Sequence, residues 1–189
     1  TTLTGPGSVL GQDQLDGFML AVEQGGGKLG GVPVQVIKED DQFKPEVGVQ
    51  AARKLVQSDK VPIITGVVYS NVMLAVARPV TGAGVFLVGS NAGPTNLAGK
   101  DCSPFFFSTS WNNTQRHEGS GEMANHMGFK KVYLLAPNYQ AGKDAMAGFK
   151  RFFKGEVVNE VFTQVNQPDY SVELAALADA KPDAAYVFF

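Results

Sequence analysis

Short apolar runs alternate with helix-period segments along the whole chain, and this rhythm restricts the fold more than any other feature. From Gln12 to Gln24, Leu15, Phe18, Met19 and Val22 recur at helical spacing. "GGGKLGG" ends that helix, and "VPVQVI" from Val32 alternates as a strand does. Pro45 suits a helix N-terminus, with Val49, Ala52, Leu55 and Val56 following on one face. "VPIITG" predicts a strand, and Ser70 caps a helix running to Pro79. "VFLVGS" predicts another strand, "GPTNLAGKDCSP" a loop and "FFFSTSW" an extended stretch. A second series follows: a helix from Thr114 to Met127, the strand "KKVYLLAPN", a helix from Asp144 to Phe153 and the strand "EVVNEVF". Ser171 caps "VELAALADAK", and "AAYVFF" is a last apolar strand. Strict alternation predicts an α/β fold with parallel sheets and helices on both faces. The rhythm occurs on both sides of Phe105–Trp111, which therefore reads as a crossover between two lobes.

Composition removes several function classes. The 189 residues are 44% hydrophobic and 18% charged, the balance of an ordinary globular protein. Net charge is -2 with no basic block, which argues against a nucleic-acid partner. No apolar run approaches the roughly 20 residues that span a bilayer. Thr1 reads as the tail of a strand, so the chain is taken as mature or trimmed. Cys102 is the only cysteine, which excludes an internal disulfide and a cysteine-cluster metal site; it reads as a small buried hydrophobe. "HEGSG" at His117 departs from the zinc-protease helix motif, because Gly121 stands where the second histidine belongs. His117 and His126 lack the spacing of a metal pair and read as two solvated helix histidines. No nucleophile elbow is present. The expectation is a protein with no catalytic set, no metal and no cofactor.

The opening stretch "TTLTGPGSVLGQDQLDGFMLAV" raises the main alternative, a nucleotide-dependent oxidoreductase. Gly5, Gly7 and Gly11 precede a helix, and Glu39, Asp40 and Asp41 follow the next strand, where an acid would hold a ribose. The glycine spacing misses the fingerprint by one residue, and Pro6 removes an N–H where phosphate needs donors. The acids also lie farther along than the roughly 20 residues the fingerprint calls for. Asp40 and Asp41 read more simply as charges near a helix start.

Four loops at strand C-terminal ends remain: "TGPGSVLG", "GVVYSN", "GSNAGP" and "PNYQAG". That edge of an open α/β sheet is where ligands bind. In the second loop, the Ser70 hydroxyl and the first N–H groups of the helix suit a carboxylate. A cap and a ligand contact are equally compatible with Ser70.

Five stretches in register, "LTGPGSVLGQDQLDGFMLAVE", "VIKEDDQFKPEVGVQAARKLV", "IITGVVYSNVMLAVA", "GSNAGPTNLAG" and "LLAPNYQAGKDAMAGFK", resemble the type I periplasmic solute-binding proteins of branched-chain-amino-acid-type ABC importers. The resemblance implies two Rossmann-like lobes that close on a ligand. Residues 1–110 would be the N-terminal lobe, lacking its start and its later return segment, and 111–189 the first part of the second. It also implies capture of a small carboxylate, permease and ATPase partners, and a periplasmic or lipid-anchored location. A ligand-sensing regulatory module on the same fold is the other reading. Carried over by position, the carboxylate falls to Val68, Tyr69 and Ser70. The next loop contributes Asn91, Ala92 and Gly93, and the first loop Leu10. The second lobe contributes from Tyr139, Gln140 and Ala141, with the ring contact open between Tyr139 and Ala141. "SWNNTQ" and "NYQAGKD" are most similar to the aromatic-carboxylate subgroup.

Overall fold

The computed structural model describes residues 1–5 and 7–189. The chain packs as two compact units, Thr1–Ser110 and Trp111–Phe189. In the first, α1 (Ser8–Gln24) leads to a short hairpin of β1 (Lys28–Leu29) and β2 (Val32–Pro33). Then come α2 (Pro45–Gln57), β3 (Ile63–Gly66), α3 (Ser70–Thr81), β4 (Phe86–Gly89), a 3-10 turn at Thr95–Ala98 and β5 (Phe106–Ser108). Strands β3, β4 and β5 form a parallel sheet in that order. Val72, Met73, Val76 and Val80 lie on one stripe of α3 and are buried with Ala52 of α2 and Leu87 of β4.

The strand expected over "VPVQVI" is only partly formed. Val32 and Pro33 pair antiparallel with Leu29 and Lys28, an exception to the parallel pattern elsewhere. Beyond Pro33 the segment continues without a strand neighbour. A cavity of about 790 Å³, lined by Val34, Val36, Ile63, Ile64 and Val88 among others, lies between it and β3. An extended segment becomes a strand only where its N–H and C=O groups meet those of a neighbour. Thr1, read as a strand tail, likewise lies outside any strand. It makes a single parallel-type bridge instead: its amino group donates to the Glu39 carbonyl, and Asp41 N–H donates to the Thr1 carbonyl.

The second unit holds α4 (Asn113–His126), β6 (Lys131–Pro137), α5 (Gln140–Phe152), β7 (Glu156–Thr163), α6 (Ser171–Ala180) and β8 (Ala184–Val187). Its parallel sheet has the order β7-β6-β8. Every residue of β6 after Lys131 is buried, as a central parallel strand requires. Two helix starts differ from the sequence reading. Helix α5 begins four residues before Asp144, whose buried carboxylate accepts from the Asn113 and Gln140 side chains rather than opening the helix. Ser171 is the first residue of α6 rather than its cap, and its N–H and hydroxyl both donate to the Asp169 carboxylate.

Helices α4 and α5 approach so closely that side chains are excluded at the crossing. A Cβ at Gly121 would lie 2.3 Å from the Phe149 carbonyl oxygen, and one at Gly148 would lie 2.7 Å from that of Thr114. Gly121→Ala must push two backbones apart, so urea unfolding of the second unit should show a loss of about 1–3 kcal/mol. An unchanged midpoint would mean that the helices separate freely.

Candidate functional site

Parallel pairing sets Gly66 beside Gly89, so the chains leaving β3 and β4 emerge together. The two loops are tied to each other. The Ala92 N–H donates to the Val67 carbonyl at 3.3 Å, and the Asn91 side-chain amide donates to the Val68 carbonyl at 2.9 Å. Val67 takes a positive φ of 62°, a left-handed conformation that a β-branched residue adopts only under constraint. Val68 and Ala92 are buried, and so is Gly93, so these residues shape the loops. The N-cap of α3 is Tyr69, not Ser70 as the capping alternative requires. Ser70 is the first helical residue and is 2% exposed. It opens a turn whose first N–H groups have no carbonyl within the helix and carry the positive end of the helix dipole.

Tyr69 joins this edge to the glycine turn. Its ring lies against Phe43, with centroids 3.9 Å apart. Its hydroxyl fills the space beside Gly7, where a Cβ would lie 1.5 Å from that oxygen. Gly7 is the N-cap of α1 at a φ of 80°, and a Cβ on Gly11 would lie 1.6 Å from the Thr2 carbonyl oxygen. These two glycines therefore admit a tyrosine hydroxyl and a backbone carbonyl from the same unit. Pro6, part of the sequence argument, lies outside the described residues. Burial, with Asp41 nearby, raises the Tyr69 pKa and keeps the hydroxyl protonated. Leu10 follows on α1 and is 54% exposed.

Asp40 and Asp41 do more than charge a helix start. Asp41 is buried and accepts from the Thr2 hydroxyl and the Phe43 N–H. Asp40 accepts from Leu3 N–H, the Thr4 hydroxyl and Gln42 N–H. Together they hold the segment leading into the glycine turn. Burial works against ionising Asp40, but the bonds from Thr4, Leu3 and Gln42 outweigh it and lower its pKa.

In the second unit, Tyr139 is the N-cap of α5 and half-buried, while Ala141 is buried. The Gln140 amide donates to the Asp144 carboxylate at 2.8 Å. Phe188, just past β8, lies nearly parallel to the Tyr139 ring, at 20° with centroids 6.4 Å apart. His117 is buried rather than solvated, and its Nδ1 is hydrogen-bonded to the Tyr186 hydroxyl. Burial chiefly, and then Arg116, lowers the His117 pKa against an opposing pull from Asp144, so the imidazole favours its neutral form. His126 is exposed, as read. Cys102 is exposed, contrary to expectation, because the loop after the 3-10 turn carries it past the core. Sequence reasoning missed Phe43 and Phe188 and misread His117 as solvated. Phe188 carried a signal, since Tyr186 and Phe188 share one face in an alternating strand. Phe43 carried none, because a positive φ of 61° on phenylalanine follows no residue preference.

The periplasmic binding protein profile matches residues 1–189. The chain belongs to the periplasmic binding protein family. Among relatives of this binding protein is the Leu/Ile/Val-binding protein homolog 6 of Brucella abortus, 26% identical over 98% of the chain and 48% of the relative. An ABC-transporter solute-binding protein of R. palustris in complex with benzoate is 32% identical, with a TM-score of 0.94 over 100% of this chain and 53% of that one. Another from Rhodopseudomonas palustris BisB5, in complex with 3,4-dihydroxy benzoic acid, is 32% identical, with a TM-score of 0.90 over 99% of this chain and 52% of that one. The binding protein described here thus spans about half the length of these relatives. Among its described residues no helix is long and apolar enough to cross a membrane.

Two outcomes follow from the first unit's geometry. Gly7→Ala should lower stability by about 2–4 kcal/mol, from left-handed backbone strain and the clash with Tyr69. Combining it with Tyr69→Ala should cost less than the sum of the two in thermal unfolding; strict additivity would separate the two residues. In an NMR titration, the Leu3 and Gln42 amide signals should move together with Asp40, at a midpoint below the ordinary aspartate value of about 3.9. The lowered pKa means that this tie stabilises fully above the unfolded value and is lost as pH falls through the folded one.

Proposed function

We propose that this chain is the ligand-capturing portion of an extracytoplasmic solute-binding protein, delivering a small carboxylate to the permease and ATPase of an ABC importer. Residues 1–110 serve as the first lobe and 111–189 as the start of the second. The protein works in the periplasm or anchored by lipid at the outer face of the membrane, and it releases its ligand unchanged. The observation that carries this reading is the buried Ser70 at the N-terminus of α3, beside the cross-tied loops of Val68 and Asn91. N–H groups and a hydroxyl there neutralise a carboxylate without a cationic side chain.

Aromatic carboxylates suit the site better than branched aliphatic amino acids. An amino acid also needs a counter-charge for its ammonium group. The first unit's loops at 67–70 and 90–93 hold no acid, and Asp40 and Asp41 are engaged by other groups. Within the first unit, Tyr69 offers a ring and Leu10 an apolar surface. The relatives described with benzoate and 3,4-dihydroxy benzoic acid support the same ligand class.

Calorimetry of the intact protein tests the proposal. Benzoate should bind and leucine should bind more weakly. Ser70→Ala should weaken benzoate binding about ten- to a hundredfold, since a hydrogen bond to a charged group contributes roughly 1.5–3 kcal/mol. Submicromolar leucine binding with no response to benzoate would sink the aromatic assignment. Unchanged benzoate affinity in Ser70→Ala would remove Ser70 from the site.

A further inference from the structure

Helix α1 is pinned to the chains leaving β3 and β4 at two points, about two turns apart along it. The first is Gly7, its N-cap, where the Tyr69 hydroxyl fills the space a side chain would take. The second is the half-buried Gln14. Its Nε2 donates to the Ser90 hydroxyl at 2.7 Å, and its Oε1 accepts from the Thr1 hydroxyl at 2.7 Å. The same oxygen stands over Gly66, where a Cβ would lie 3.4 Å from it. Ser90 follows Gly89, the partner of Gly66, and precedes Asn91. Asn91 is tied to Val68, the neighbour of Tyr69. The contacts close a ring: Gln14 to Ser90, Asn91 to Val68, Tyr69 to Gly7, and along α1 back to Gln14. Leu10 lies between the two pins, on the stripe of α1 that carries Gly7 and Gln14. It is exposed, so its place follows from where α1 stands rather than from burial of its own side chain.

We propose that Gln14 is a positioning residue: through Ser90 it fixes α1 on the loop at 90–93 and so sets where Leu10 stands beside that loop. This rests on the carboxylate-binding reading above, in which Leu10 is an apolar surface of the site. One pin alone would let α1 swing about the Gly7 contact, and the second fixes its direction. A primary amide suits the task, because one end donates and the other accepts. It therefore joins two hydroxyls without a charge. A carboxylate at this position would repel an anionic ligand, and an ammonium would compete with the N–H groups of α3 for it. Gln14 acts through Leu10 and not on the ligand, its amide being engaged at both ends.

The test uses the intact protein, with benzoate as the probe in calorimetry. Gln14→Met keeps the length of the side chain and a good helix former while removing both hydrogen bonds. Circular dichroism and the melting temperature check that the variant is folded. It should weaken benzoate binding about three- to tenfold, the range of one net hydrogen bond. Ser90→Ala, which removes the other partner, should weaken it to a similar degree, and Ser90→Thr, which keeps a hydroxyl, should weaken it less. In a Leu10→Ala background, Gln14→Met should cost less than about twofold more, because its effect passes through Leu10. General loosening of the unit would cost the same with and without Leu10. Benzoate affinity unchanged in Gln14→Met overturns this inference and leaves the functional reading standing. So does an equal loss from Gln14→Met in the presence and absence of the Leu10 side chain. If Gln14→Met fails to fold, the same two criteria are read on Ser90→Ala. A wild-type protein that does not bind benzoate overturns the functional reading and this inference together.

Discussion

Parallel strand pairing is the constraint on which the rest of this structure depends. Parallel neighbours cannot be joined by a tight turn, so a longer crossover segment, usually a helix, links one to the next, and the strands of each parallel sheet point the same way. Their C-terminal ends then share one edge. In the first unit this aligns Gly66 with Gly89 and brings residues 67–70 and 90–93 together from separate parts of the chain. Backbone bonds from Ala92 and the Asn91 amide complete the joint. A buried hydroxyl and the positive end of a helix then meet at one place.

The second unit obeys the same rule with different side chains. Strand β6 is central, so the residues leaving β6 and β8 lie side by side, and Tyr139 meets Phe188. Close packing of α4 on α5, through Gly121 and Gly148, sets where the N-terminal half of α4 stands, and with it His117. Asn113 at the start of α4 donates to the Asp144 carboxylate on α5 and ties the same ends together. The aromatic contacts at this edge are therefore a product of helix packing as much as of the residues composing them.

The glycine-rich opening shows how a motif changes meaning in three dimensions. Gly5, Gly7 and Gly11 read as a place where backbone meets phosphate. In the fold, Gly7 makes room for the Tyr69 hydroxyl and Gly11 for the Thr2 carbonyl. The acids that would have held a ribose hold Thr2, Leu3 and Thr4. Glycine marks close approach, but what approaches Gly7 is decided by Tyr69, far along the chain.

Local pattern carried most of the architecture. Periodicity placed the six helices among the described residues and the parallel strands other than β5, which lies in the stretch read as a crossover, because amphipathic spacing and apolar runs record which faces must leave water. The five quoted stretches, in register, were enough to indicate the family. Local pattern failed where a partner far along the chain decides the outcome. "VPVQVI" alternates like a strand, yet only its first two residues pair, because pairing needs a neighbour and alternation records only burial. Ser70 and Ser171 looked like caps, yet both stand one residue inside their helices, since the cap position depends on the φ and ψ of the residue before. His117 looked solvated on a polar helix, and the packing of β8 buried it against Tyr186. Spacing along one chain was enough for the order of the helices, most of the parallel strands and the loops that end them. Only the tertiary structure decided which side chains of those loops stand together, because parallel pairing and helix packing join residues that no local pattern connects.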